Sequence, residues 1–241
     1  MRSIRFIVFP ILLVLAALIG CSGDSGTKSD GGDITHEGVY ASLVVGRMIG
    51  MVGSIIRIDQ AVARFDSVYS CDPVQPLRPD SVYFEEDTMH WMDQIKMYYW
   101  PDLVGAQFID PGHIYNFHVY GNAALPLLID SISFPSGETY VVSPEYDSTL
   151  SKSGFNVIWA GSGSGGVRLI LLSAQGDSAV AVNTENDGLY SFSGAQLGAL
   201  PTGDYGIILI NEAVKYIEAP GYDSRSYLRA RIMSTTAIHL E

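Results

Sequence analysis

The carboxy-terminal half of the chain is a series of short segments in which apolar and polar residues alternate, separated by Gly, Pro, Asn and Asp. In residues 113–121, HIYNFHVYG, the apolar residues Tyr115, Phe117 and Val119 alternate with polar ones, which predicts a strand with one face in a core. Further strand-like segments follow, with little helical periodicity between them, at residues 131–135, 154–161, 167–174, 178–184, 188–194, 204–211, 226–233 and 236–240. This spacing is typical of a β-sandwich.

The order of motifs in this half resembles an immunoglobulin-like β-sandwich module of secreted cell-envelope proteins. The matching segments are FNVIW, VRLILL, NTENDGLYSF and LPTGDYGIIL. The upstream PGHIYNFHVYG resembles the closing strand of a transthyretin-like β module. The resemblance covers residues 110–241 well and 36–109 poorly. It implies an all-β fold of two stacked modules, and it implies little about function.

The amino terminus has the three parts of a secretory signal. Arg2 and Arg5 give a positive start, residues 6–19 are apolar, and Gly20 is small. The apolar run is shorter than the ~20 residues that a membrane-spanning helix needs. Residues 1–20 are therefore predicted to be a cleaved signal peptide.

The residues that end this signal, Leu18-Ile19-Gly20-Cys21, look like the lipobox of bacterial lipoproteins. That resemblance implies that the thiol of Cys21 carries a diacylglycerol, so that the protein is held in a lipid bilayer by its acyl chains. An ordinary signal peptide with an incidental cysteine is the alternative. In this family Ser22, in place of Asp, favours the outer membrane over the inner one.

Residues 21–35 are rich in Gly, Ser and Asp, which predicts a flexible linker after the lipidated cysteine.

The net charge limits the kinds of molecule that the protein can bind. The formal net charge is −12, and loss of Arg2 and Arg5 on cleavage makes it −14. An acidic chain without a basic patch excludes nucleic acid as a partner.

The second cysteine, Cys71, has no partner for a disulfide if Cys21 holds lipid, and its surroundings do not suggest catalysis.

Residues 36–109 are harder to interpret. The apolar residues of 38–56 fit a helical stripe, but three glycines and frequent Val and Ile favour strands, so we expect strands with a helix as the alternative. The following residues predict two short strands that meet near Asp59 and Gln60. We divide the folded part into an N-terminal β-rich module, 36–135, and a C-terminal immunoglobulin-like sandwich, 136–241.

Two loops superficially resemble ligand-binding motifs. Residues 183–188, NTENDG, place oxygen side chains as a calcium loop does, but Gly194 stands where the bidentate Glu is needed. We expect a hairpin turn there, with Asp187-Gly188 at its tip. Residues 160–168, AGSGSGGVR, match neither a phosphate-binding loop nor a nucleophile elbow, so we expect a plain connection.

Residues 84–90, FEEDTMH, hold the acids that an enzyme would use. Glu85, Glu86 and Asp87 make an acid–base pair conceivable, and the alternative function is an envelope glycan hydrolase built on them. Consecutive residues of a strand face opposite sides, and no second histidine lies at ligand spacing. We therefore expect a solvated acidic loop with no catalytic residue, metal or cofactor.

Residues 91–100, WMDQIKMYYW, combine aromatic and polar side chains. Treated as one strand, they place Trp91 and Tyr99 on one face, and on the other a surface suited to a sugar or a peptide: His90, Gln94, Lys96, Tyr98 and Trp100. Packing in the core is the alternative. The sequence thus predicts a lipid-anchored envelope protein that acts as a non-enzymatic structural or binding module for a protein or glycan.

Overall fold

The computed structural model describes residues 38–51, 55–67, 76–100, 109–161, 163 and 165–241. Within these ranges the backbone forms sixteen β-strands and one short helix, which confirms the predicted all-β class. The predicted signal peptide, the linker, Cys21 and Cys71 lie outside the described residues. The single helix in the described part of the chain is far too short to cross a bilayer.

A nine-stranded sheet is the largest layer and is called the central sheet. Its members are β1 (Tyr40–Met51), β2 (Ile55–Asp66), β5 (His90–Met92), β6 (Met97–Trp100), β10 (Ser148–Leu150), β12 (Gly166–Ser173), β13 (Ala179–Glu185), β15 (Gly203–Tyr216) and β16 (Tyr227–Leu240). Eight of them follow the order β13-β12-β15-β16-β1-β2-β6-β5, and β10 pairs with the end of β16. β1 and β16 are parallel, whereas the other neighbours along this order are antiparallel.

Two smaller sheets complete the fold. The three-stranded sheet has the order β14-β11-β9, formed by β9 (Tyr140–Ser143), β11 (Gly154–Ala160) and β14 (Leu189–Ser193). The four-stranded sheet has the order β4-β3-β7-β8, formed by β3 (Ser81–Phe84), β4 (Asp87–Thr88), β7 (Ile114–Tyr120) and β8 (Leu128–Ser133). Helix α1 (Gly194–Leu197) follows β14 and begins with a capping box between Ser193 and Gln196.

The two small sheets cover one face of the central sheet and enclose two hydrophobic cores. The first core lies under the four-stranded sheet and includes Leu43, Val45, Ala61, Phe65, Phe84, Tyr115, Phe117, Leu228, Ala230 and Ile232. The second core lies under the three-stranded sheet and includes Val141, Val157, Trp159, Leu169, Leu171, Phe192, Ile207, Leu209, Ile238 and Leu240. The fold is therefore two sandwiches that share one layer.

β16 shows how that layer is shared. Its residues 228, 230 and 232 belong to the first core and its residues 238 and 240 to the second, and the even numbering places them all on one face. The opposite face carries a smaller apolar cluster of residues from β1, β15 and β16: Tyr40, Val44, Ile208, Ile210, Tyr227 and Met233. Because β15 and β16 serve both cores, the division at residues 135 and 136 stays a prediction.

A buried ion-pair network joins the two sandwiches. Arg47 on β1 makes two hydrogen bonds to the Asp59 carboxylate, of 2.7 and 2.8 Å, and a third of 3.1 Å to Glu138. Glu138 lies between β8 and β9, where the chain passes from one small sheet to the other, and it also accepts a 2.7 Å bond from Arg57 Nε. Asp59 is 1% exposed and accepts from the Ile109 amide at 2.8 Å. The buried charges are thus paired and hydrogen-bonded, as a low-polarity interior requires.

The strand expectation for residues 38–56 is confirmed where the structure describes them, by β1 and by the start of β2, but the predicted break near Asp59 and Gln60 is wrong. β2 runs unbroken through both residues, in register with β1. Asp59 stands directly opposite Arg47 in that register, so a polar pair in the middle of the strand marks an ion pair across strands and not a turn.

The predicted separation of 226–233 from 236–240 is also wrong, since both belong to β16. Ser234 is buried within this strand, and its hydroxyl accepts a 3.0 Å hydrogen bond from the Val141 amide of β9. Ser234, which lies between the two predicted segments, therefore fastens the three-stranded sheet to the central one.

Residues 183–188 do not form the expected hairpin. β13 pairs with β12 in the central sheet, whereas β14 pairs with β11 in the three-stranded sheet, so this turn crosses between layers. Gly188 has the expected positive φ, 94°. Asn186 is buried and accepts a 2.8 Å hydrogen bond from Trp159 Nε1, which anchors the crossing to the second core.

Candidate binding surface

The aromatic run 91–100 is a hairpin, so its prediction as one strand is wrong. The chain reverses over residues 93–96, and the Lys96 amide donates a 2.8 Å hydrogen bond to the Met92 carbonyl. Lys96 has a positive φ of 56°, which a turn demands, and its ammonium lies 3.7 Å from the Asp93 carboxylate. The sequence prediction alternated the side chains between two faces along the whole run, as if the chain did not turn. It therefore placed the residues after the turn on the wrong faces.

Tyr98 belongs to the core side of the hairpin and not to an exposed surface. It is 6% exposed, and its hydroxyl donates a 3.1 Å hydrogen bond to the Pro79 carbonyl. It stands opposite Trp91 in register, with the ring centroids 5.2 Å apart. Burial raises the pKa of the Tyr98 hydroxyl. Tyr98 and Trp91, predicted on opposite faces, are packed together.

Trp91 is held by polar groups at its edge. Its Nε1 donates a 2.8 Å hydrogen bond to Asp93, which is the main cause that lowers the pKa of that carboxyl. The guanidinium of Arg78 lies over the indole ring at 4.8 Å from its centroid. These contacts fix the ring at the rim of the first core.

The other predicted surface residues are spread over the hairpin. Gln94 and Lys96 are exposed in the turn, His90 is exposed on β5, and Trp100 is half-buried against Phe84 with the centroids 5.4 Å apart. The structure does not gather the five predicted residues on one face. A ligand-binding role for them stays a prediction.

The three acids of residues 85–87 do not converge. Glu85 and Glu86 form the two-residue turn between β3 and β4, and Asp87 begins β4. Glu85 Oε1 accepts a 2.5 Å hydrogen bond from the Asn116 amide, which ties the turn to β7, whereas Glu86 and Asp87 are exposed. In the part of the chain that the structure describes, no three His, Cys, Asp or Glu residues cluster as a metal site.

A surface that the sequence did not single out lies on the outer face of the four-stranded sheet. The register places Tyr83, His118 and Ile129 side by side across β3, β7 and β8. Asn116 and Tyr120 flank His118 on the same face, and the rings of Tyr83 and Tyr120 are 5.5 Å apart. We call these five residues the open sheet face. Ile129 is 64% exposed, the largest value among the exposed large apolar residues.

The alternation of 113–121 already indicated that Asn116, His118 and Tyr120 share a solvated face. The sequence pattern could not show which strands lie next to this one, since Tyr83 and Ile129 are 35 and 11 residues away from His118 along the chain. Aromatic rings beside amide and imidazole groups offer both stacking and hydrogen bonding.

Comparison with known proteins finds distant similarity to solved structures and no family. No protein-family model and no curated protein matches the chain. Solved structures similar to it include a tetra-tandem repeat in the extending region of a large adhesion protein, with 14% identity, a TM-score of 0.23, and coverage of 82% of this chain and 50% of that one. A structure on host cell surface retention of a 1.5-MDa bacterial ice-binding adhesin has 10% identity, a TM-score of 0.25, and coverage of 84% and 64%.

A third similar structure, Dpr11 IG1 bound to DIP-gamma, has 9% identity and a TM-score of 0.21, and the similarity covers 83% of this chain and 98% of that one. This chain spans only half to two thirds of the two adhesin chains. Because these TM-scores are low, the fold assignment rests on the strands and the two cores described above.

Proposed function

We propose that this protein is an exported, lipid-anchored module that binds a glycan and catalyses no reaction. The observation that carries the proposal is the open sheet face, where two tyrosines lie beside Asn116, His118 and Ile129 without a described strand over them. The chemistry of this face fits a saccharide, whose C–H faces pack on aromatic rings. The hydroxyls of the saccharide bond to the imidazole of His118 and to the side-chain oxygen of Asn116, since the Nδ2 of Asn116 is engaged by Glu85.

The geometry of the acids favours binding over the hydrolase alternative. A glycosidase needs two carboxyl groups facing each other across the scissile bond, ~5–10 Å apart. Glu85 is occupied by Asn116, Glu86 lies beside it in the exposed turn, and Asp87 is exposed at the start of β4. Such an arrangement supports a structural role for Glu85.

The lipid anchor is supported by the sequence alone. Leu18-Ile19-Gly20-Cys21 provides the attachment site, and Ser22 favours the outer membrane. Two or three acyl chains, at ~0.8 kcal/mol per buried CH₂, make such an attachment effectively permanent. Labelled palmitate should enter the wild-type chain, whereas the Cys21→Ala variant should remain unlabelled; equal labelling of both would exclude the anchor.

Binding is tested by sedimentation with insoluble glycans, for which we name peptidoglycan sacculi and chitin. Tyr120→Ala should weaken co-sedimentation about tenfold, the equivalent of ~1.4 kcal/mol, because one stacking ring is lost. Tyr216→Ala is the matched control, since Tyr216 is comparably exposed on β15, away from the open sheet face. Equal weakening by both variants, or no binding by the wild type, would contradict the proposal.

The same assay distinguishes binding from turnover. Release of soluble sugar from either glycan, abolished by Glu86→Gln or Asp87→Asn, would establish the hydrolase instead. We expect no release by the wild type and unchanged co-sedimentation for both carboxyl variants.

A further inference from the structure

One end of the central sheet is an edge that no described strand covers. β13 pairs with β12 over seven residues, from Leu172 opposite Ala179 to Gly166 opposite Glu185, and with no other strand in the described part of the chain. Every second residue of β13 is exposed. Its outer row of backbone N–H and C=O groups is therefore available to another strand. The sheet's other end, β5, has only three residues.

β13 lacks the features that normally protect an edge strand. Its sequence, AVAVNTE, contains no Pro and no Lys, and its register with β12 continues without a bulge. Val180 and Val182 pack against the second core, which holds the strand in place. Glu185 is its only charged residue.

The edges of the four-stranded sheet differ in this respect. The Lys215 ammonium pairs with Asp130 on β8 and lies 3.2 Å from the Ser131 carbonyl, so a charge stands on that edge strand. At the opposite edge, β4 has only two residues. β13 is thus a long edge without a charge at its centre.

We propose that β13 pairs with β13 of a second copy of this chain, antiparallel and centred on Val182. In that register Val182 faces its own copy, Asn183 faces Ala181, and Thr184 faces Val180. Glu185 faces Ala179, so no two like charges stand opposite each other, and β-branched side chains meet at the centre. The strand is therefore self-complementary, and the pair extends the central sheet from one molecule into the next.

The two-fold symmetry of this pairing limits the assembly. The same strand serves both partners, so the contact closes on itself and gives a dimer instead of an open fibre. Each full chain has a formal charge of −12, and the two copies repel each other at long range. Salt screens this repulsion, so dimerisation should strengthen as the salt concentration rises.

Disulfide trapping tests the register directly. In full chains carrying Cys21→Ser and Cys71→Ser, purified in a mild non-ionic detergent, Val182→Cys should form a covalent dimer on oxidation. Its two sulfurs then lie on opposed residues, whereas a disulfide cannot join Cα atoms more than ~7 Å apart. Val180→Cys alone is the matched control and should stay uncoupled. Mixed with Thr184→Cys, it should give a covalent heterodimer.

Introducing like or opposite charges at the paired positions of β13 tests the same register by a second measurement. Ala181→Lys with Asn183→Lys should abolish dimers in sedimentation velocity, as should Ala181→Glu with Asn183→Glu. An equimolar mixture of the two double variants should restore them as heterodimers, because each Lys then faces a Glu. Circular dichroism should be the same for every variant.

The result that overturns the proposal is the absence of the Val182→Cys cross-link in a folded chain, whether that chain is monomeric or associates through another surface. Because glycan co-sedimentation depends on the open sheet face and not on β13, its outcome is independent of this one.

Discussion

The two cores rest on one sheet but differ at their boundaries. In the first core, Phe84 contacts Tyr115, Phe117 and Trp100 with ring centroids 5.2–5.4 Å apart, and an ion-pair network closes its boundary. The second core also has an aromatic group, on β11 and β14, in which Phe192 lies 5.3 Å from Phe155 and 5.0 Å from Tyr190 between ring centroids. Trp159 of this core is tied to Asn186. Both cores therefore combine aliphatic residues with an aromatic group, and the ion-pair network belongs to the boundary of the first.

The difference extends to how far apart the contributing residues are in sequence. The second core draws on residues 141–240 alone. The first core needs buried residues from 39–134 together with 217–232, and β1 pairs with β16 across an interval of 185 residues, from Ser42 to Tyr227. Contacts of such separation cost more chain entropy to form, so the first core depends on pairings that the second does not need.

The largest expected effect comes from emptying each core in turn. Trp159→Ala and Phe117→Ala should each lower the free energy of unfolding by ~3–5 kcal/mol, because each leaves a cavity in a packed interior. Since β15 and β16 belong to both cores, both variants should shift one common unfolding transition in denaturant. Two separate transitions, each moved by only one variant, would show that the sandwiches are independent. Ile129→Ala, at an exposed position, is the control and should change stability by less than ~0.5 kcal/mol.

A smaller effect is expected at the hairpin of the first core. Tyr98→Ala should cost ~2–4 kcal/mol, because its ring packs on Trp91 and its hydroxyl bonds to Pro79. Gln94→Ala in the exposed turn should stay within ~0.5 kcal/mol. Thermal melting measures both. An unchanged melting point for Tyr98→Ala would restore the single-strand interpretation, in which Tyr98 is on the exposed face.

The smallest effect concerns the network between the cores. The hydrogen bond from Arg57, with its charge and that of Arg47, lowers the pKa of the Glu138 carboxyl below its ordinary value of 4.5. Because the folded-state pKa is the lower one, the stabilisation is complete above pH ~5 and is lost as the pH falls through the folded-state value. Glu138→Gln should therefore lower the melting point at pH 7 and reduce its dependence on pH below 5. Glu86→Gln, an exposed control, should leave the melting profile unchanged.

The sequence predicted the faces of some strands in each core, but it was also wrong in the second core, at the connection 183–188 and at the break in β16. Residues 154–161 are predicted as a strand whose side chains alternate between two faces, and β11 buries Val157 and Trp159 and exposes Asn156 and Ile158 as that alternation predicts. The errors in the first core have one cause. Asp59 pairs with Arg47 on the neighbouring strand, and residues 93–96 form a turn. Neither the cross-strand partner nor the turn is visible in the local periodicity of the sequence.

The candidate surfaces were also predictable only as far as local periodicity reaches. One strand of the open sheet face was visible as the polar face of 113–121, while its neighbours Tyr83 and Ile129 come from strands that only pairing brings alongside. Conversely, the aromatic run 91–100 drew attention by composition, and the structure uses Tyr98 from it for the core.

The parallel pairing of β1 with β16 has a mechanical consequence. β1 is entered from Gly38 and β16 ends at Leu240, and the two strands run side by side from Ser42 opposite Tyr227 to Gly50 opposite Thr235. Tension applied between Gly38 and Glu241 pulls the two strands in opposite directions along their length. The hydrogen bonds between them are then loaded together, in shear, instead of being unzipped one after another from an end. A pull along this axis meets the resistance of the whole ladder at once.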